Sequence, residues 1–203
     1  TQSKRDCTSA INMWSTNVEL HTSLLEFGIV QAINSMIENN TDEEVLEHCV
    51  ETAFKLSTNK SILHELNGQS LYTVAMTMLL QGEELSSLPC MVNCSSILLN
   101  LSRDEDIPSK FISNGIVVEL NRTHTMHPRL ETQLLQLIFN IVNTLQRSTH
   151  WMHDILYYVL TMLKKHVLSQ ENLSLIVKII SRSSVLLDIP QYLCEKDITG
   201  TLR

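Results

Sequence analysis

The chain has 203 residues, of which 43% are apolar and 18% charged, the composition of a folded protein that can bury its apolar surface without disulfides or metals. Its 5 Gly and 4 Pro are too few for a sandwich or barrel, for collagen or for a low-complexity chain. With 15 Lys+Arg against 22 Asp+Glu the net charge is −7, and the longest basic feature is Lys164-Lys165-His166, so no nucleic-acid partner is expected. No stretch approaches the ~18 uncharged apolar residues of a membrane span, which removes the membrane as a partner.

The opening segment TQSKRDCTSA has no apolar signal-peptide core and no initiator Met, and reads as a processed piece or an excised domain. Five cysteines without a regular framework read as reduced thiols, hence an intracellular protein of cytoplasm or nucleus. The Asn-X-Ser/Thr triplets at Asn39, Asn59, Asn93, Asn100, Asn121 and Asn172 are not read as glycan sites, because Asn93 and Asn100 fall inside apolar helical patterns.

Helical periodicity runs through nearly every segment. Over 42–57 the apolar positions Val45, Leu46, Cys49, Val50, Ala53 and Leu56 mark one helix face. Acidic Asp42, Glu43 and Glu44 suit its first turn, and Thr41 is the expected N-cap. A short segment at 59–66 and a medium helix at 69–81 lead to a long helix at about 88–102, with Pro89 near its start. Another long helix, 128–145, begins at Pro128, a favoured first position, and places Leu130, Leu134, Leu137, Ile138, Ile141 and Leu145 on one side. Helical patterns continue over Trp151–Val167 and Glu171–Ser181. No run alternates with a period of two between turns, so the fold class is all-α.

Two landmarks recur. Gly28, Gly68 and Gly115 each precede an apolar helix and stand 40 and 47 residues apart. Phe54-Lys55-Leu56-Ser57, Leu99-Asn100-Leu101-Ser102 and Phe139-Asn140-Ile141-Val142 each lie near the end of a long helix, 45 and 40 residues apart. A shared period of this length indicates a helical solenoid. Each glycine is expected at the corner between the first and second helix of a unit, where a residue with positive φ ends a helix.

The succession of short helix, Gly-(Ile/Val), apolar helix, acidic turn and long helix ending Leu-x-Asn-Leu-Ser resembles the armadillo repeat, with the related HEAT class as the near alternative. Residues 28–57, 68–102 and 115–145 carry the pattern. The resemblance implies one domain over 1–203, a right-handed α-solenoid of about three three-helix repeats (28–66, 67–113, 114–148) with a partial N-terminal unit at 8–27 and divergent capping helices at 149–197. It also implies a groove lined by the long helices that takes a peptide or helix of a partner protein, with the asparagine of Leu-x-Asn-Leu on the ligand's main chain. That asparagine is Asn100 in one unit and Asn140 in the next, and its place is taken by Lys55 in the first. One turn earlier, where importin-type grooves carry tryptophan, stand Glu51, Ser96 and Gln136, so nuclear-localisation signals are not the expected ligand. The helix from His150 to Val167 offers a second interface through Trp151 and Tyr158.

No catalytic constellation is expected. His124/His127 and His150/His153 are spaced by three and Cys90/Cys94 by four, but there is no Cys-x-x-Cys, no His-Glu-x-x-His and no four-ligand spacing, so neither metal nor cofactor is anticipated. Asp104-Glu105-Asp106 lacks the glycine and distal glutamate of a calcium loop, and nucleotide and hydrolase motifs are missing. The expected role is a non-catalytic scaffold or adaptor. The alternative is a structural or self-association module of a larger protein.

Overall fold

The computed structural model describes residues 2–39, 42–81, 87–104, 110–111, 128–144, 152–164 and 168–186. Among them are ten α-helices, two short 3-10 turns and no strand, so the all-α assignment holds. The chain divides into two compact units, Thr1–Ile107 and Pro108–Arg203.

The first unit holds α1 (Gln2–Trp14), α2 (His21–Glu26), α3 (Ile29–Glu38), α4 (Glu43–Ser57), α5 (Leu63–Gly68), α6 (Leu71–Gln81) and α7 (Leu88–Leu101). The helix over 42–57 is present, but Asp42 caps it. The Asp42 backbone is extended and its Oδ1 accepts from the Val45 amide at 3.4 Å. Thr41, the expected cap, lies outside the described residues. Short 3-10 turns, Val18–Leu20 and Lys60–Ile62, precede α2 and α5. Both start from an asparagine whose Oδ1 accepts the amide two residues on at 3.1 Å, Asn17 from Glu19 and Asn59 from Ser61. This local bond competes with helix and sets the turn.

The long helices α1 and α7 both pack on α4. Helix α3 packs on α4 and α6, and α6 on α7. Helix α4 turns Val45, Leu46, Cys49, Val50, Ala53 and Leu56 inward, all 6% exposed or less. In α7 the residues 45 positions on, Cys90, Met91, Cys94, Ser95, Leu98 and Leu101, are 7% exposed or less. The ends of all three helices repeat one bond: the hydroxyls of Ser15, Ser57 and Ser102 donate to the carbonyl three residues back at 2.7–2.8 Å. Among the described residues, long-range side-chain hydrogen bonds join positions 37 to 43 residues apart.

Gly28 and Gly68 both stand between two helices, and of these two Gly28 alone has the expected positive φ. Gly28 has φ +77°, in the left-handed region. Its counterpart 42 residues on is Ser70 with φ +63°, not Gly68. Gly68 ends α5 with ordinary backbone, and a Cβ there would meet nothing within 4 Å. Gly115 lies outside the described residues. The two glycines therefore respond to alanine with opposite signs. Gly28→Ala is expected to cost about 1–2 kcal/mol, because a Cβ in that conformation meets the following carbonyl. Gly68→Ala is expected to stabilise by about 0.5–1 kcal/mol by restricting the unfolded chain. Urea midpoints of the two variants check this, and equal signs would refute it.

The second unit contains α8 (Pro128–Thr144), α9 (Met152–Leu163) and α10 (Gln170–Leu186). Both α8 and α9 pack on α10. Leu130, Leu134, Leu137, Ile138 and Ile141 of α8 are buried as their spacing predicts. Leu145 lies outside the described residues.

Candidate functional site

The residues singled out from the long helices fall on α4, α7 and α8, where each is half-buried. In the first unit, contacts at the α1–α4 seam descend turn by turn. Arg5 forms ion pairs with Asp42 at 2.9 Å and Glu44 at 2.8 Å, and its hydrogen bond holds the Asp42 carboxyl below the usual range. Next, Thr8 Oγ1 lies 3.3 Å from His48 Nδ1. The Thr8 hydroxyl is also within hydrogen-bond distance of the carbonyls of Lys4, at 3.0 Å, and Arg5, at 3.1 Å.

Below these, Glu51, Lys55 and Asn12 form a closed triangle. Asn12 Nδ2 donates to Glu51 Oε2 at 2.8 Å, Lys55 Nζ donates to Asn12 Oδ1 at 2.7 Å and to Asn12 O at 3.1 Å, and Lys55 pairs with Glu51 at 3.0 Å. Burial pushes the Glu51 carboxyl upward, but the hydrogen bonds from Asn12 and Lys55 and the charge of Lys55 outweigh it and leave the group below its ordinary value. Lys55 thus spends its donors inside the protein, and Asn12, which sequence reasoning missed, organises the triangle.

Asn100 stands differently. Its Nδ2 donates to Ser57 Oγ at 3.1 Å, which ties α7 to the end of α4. Its side-chain Oδ1 makes no hydrogen bond among the described residues. Ser96, one turn earlier, returns its hydroxyl to the Val92 carbonyl of its own helix at 2.8 Å. In the second unit Gln136 Nε2 donates to Asn140 Oδ1 at 3.2 Å along α8, and Thr132 Oγ1 donates to the buried Asn172 Oδ1 at 2.7 Å.

The aromatic candidates separate. Trp151 lies outside the described residues, as do His124, His127 and His150. Tyr158 is 5% exposed, so it belongs to the core of the second unit and not to a surface. Burial, with the charge of Glu131, raises its phenol pKa. The exposed aromatic of α9 is the neighbouring Tyr157.

Cys49, Cys90 and Cys94 are buried thiols of α4 and α7. Burial, with Cys90 nearby, pushes the Cys49 thiol up to about 12, while the hydrogen bond between Cys94 and Cys90 raises Cys94 and lowers Cys90. Among the described residues no group of three His, Cys, Asp or Glu is arranged to hold a metal ion, and no helix is long and apolar enough to cross a membrane. A cleft of about 450 Å³ opens where α7 ends, lined by Lys60, Leu63, His64, Arg103 and Asp104. The Asp104 carboxylate accepts from Asn67 Nδ2 at 2.8 Å.

The fold thus defines an all-helical protein whose long helices meet through polar side chains. Comparison of the chain with protein-family models, with curated proteins and with solved structures finds no match.

Proposed function

We propose that this chain is a non-catalytic protein-binding scaffold of armadillo-like repeats, which takes a peptide or helical segment of a partner along its long helices. The recurrence of buried positions, serine caps and hydrogen-bond spans at about 42 residues supports the repeat reading. The observation that carries the binding reading is Asn100. One amide hydrogen holds the carboxamide in place through Ser57, while its carbonyl is left to accept from a ligand amide. A group fixed in this way loses little freedom on binding. Glu51 and Lys55, closed on Asn12, serve as structural bracing in this reading. The free cysteines among the described residues support a location within the cell, in cytoplasm or nucleus.

The test is affinity capture from cell extract, comparing wild type with Asn100→Ala and with Asn140→Ala after their helicity has been matched by circular dichroism. A partner that wild type captures and Asn100→Ala loses supports the reading. A partner retained equally by both variants overturns it, and concentration-dependent mass in light scattering with no partner favours a self-association module.

A further inference from the structure

We propose that the cleft where α7 ends binds a phosphoryl group carried on a serine or threonine of a partner protein. None of its lining residues is among those proposed above to meet a ligand, so its reading stands apart from that of Asn100. The cleft draws its lining from two places in the chain. Lys60 opens a 3-10 turn, Leu63 and His64 begin α5, and Arg103 and Asp104 follow α7. Lys60 and Arg103 are both exposed, and neither makes an ion pair or a side-chain hydrogen bond among the described residues. Asp104 is already engaged: buried Asn67 donates to its Oδ2 at 2.8 Å, and His64 Nδ1 lies 3.5 Å from the same oxygen. Two cations thus face one opening in a chain whose net charge is −7.

The local structure does not require these charges. The other 3-10 turn, Val18–Leu20, also follows an asparagine cap and also leads into a six-residue helix. It opens with Val18 where the second turn opens with Lys60, and the second residue of its helix is Thr22 where α5 has His64. Ser57 and Ser102 make the same bond at the ends of α4 and α7, yet Thr58-Asn59 follows the first and Arg103-Asp104 the second. The same turn thus forms with neutral residues, and the cations of the second are available to a ligand.

The ligand's chemistry follows from the donors. Arg103 presents a planar fork that meets two oxygens at once, and Lys60 presents a point charge. A carboxylate has two oxygens, and the fork uses both. A phosphomonoester has three and carries about −1.5 to −2 charges, so it answers both cations while Asp104 offsets part of their field. The cleft volume of about 450 Å³ equals about 15 waters at ~30 Å³ each, far more than a phosphoryl group fills. It falls within the ~300–1,000 Å³ of sites that enclose a whole small ligand, so the backbone flanking a phosphorylated residue enters as well, with Leu63 as its apolar contact.

The probe is a capped peptide in which phosphoserine is flanked by alanines, titrated into the chain and followed by amide NMR. The expected result is a saturable shift of the Lys60, His64 and Arg103 signals at one peptide per chain. Binding should be at least ~10-fold tighter than that of the same peptide with glutamate in place of phosphoserine, or of inorganic phosphate. Lys60→Gln and Arg103→Gln should each weaken it ~5-fold or more. Both alter exposed side chains, and matched circular dichroism checks that the fold is kept. Lys178→Gln, at an exposed position of α10 in the second unit, should leave binding unchanged. No shift at millimolar phosphopeptide overturns the proposal. An equal loss in Lys178→Gln also overturns it, by assigning the binding to diffuse charge. Equal binding of the glutamate peptide or of inorganic phosphate overturns it too, by assigning the cleft to a carboxylate or to a free anion.

Discussion

Leu56→Ala is expected to lower the free energy of unfolding by about 2–5 kcal/mol. Leu56 is fully buried on α4, the helix that packs on both α1 and α7, and truncation there leaves a cavity that three helices would have to move together to fill. Native domains are stable by only about 5–15 kcal/mol, so the loss takes a large share of the total. The matched control is Trp14→Ala, on α1 and 42 residues earlier in the sequence. It removes a larger side chain, yet that side chain is 57% exposed, and the expected cost is no more than about 1 kcal/mol. Urea unfolding followed by circular dichroism checks both. Equal costs would mean that Trp14 is packed as firmly as Leu56, against its exposure.

The second expected result concerns the triangle of Asn12, Glu51 and Lys55. Asn12→Ala removes the donor to Glu51 Oε2 and the Oδ1 acceptor of Lys55, at a cost of about 1–3 kcal/mol at neutral pH. The cost depends on pH with a definite sign. The folded Glu51 carboxyl sits below its ordinary value, so its contribution is complete above the unfolded pKa of ~4.3 and is lost as pH falls through the lower folded value. The gap between wild type and Asn12→Ala should be constant from pH 7 to about 5 and narrow below about 4. A gap that stayed constant down to pH 3 would remove Glu51 from the network.

Much of this was legible in the residues. The periodic apolar positions of 42–57 and 128–145 located α4 and α8, because inward-facing side chains in a helix recur at three and four residues whatever surrounds them. Leu-x-Asn-Leu-Ser marked the end of α7. The corner at Ser70 was not legible: a serine can be held at positive φ by its surroundings, and its side chain leaves no sign of this, so nearby Gly68 drew the assignment. Nor was the role of Lys55. Its partner Asn12 is on α1, in a segment read only as a partial unit. Tyr157 and Tyr158 show the same limit from the other side. Adjacent helix positions differ by about 100° of rotation, and only the packing of α9 decides which ring is buried.

The narrow span of the side-chain bonds, 37–43 residues, bears on how the first unit forms. Each such bond closes a loop of nearly the same length, and none of them joins the start of the unit to its end in one step. Closing each adjacent pair of long helices therefore costs about the same chain entropy. Helix α1, held mainly by α4, should exchange its amide hydrogens before α4 does, although the two helices are of similar length.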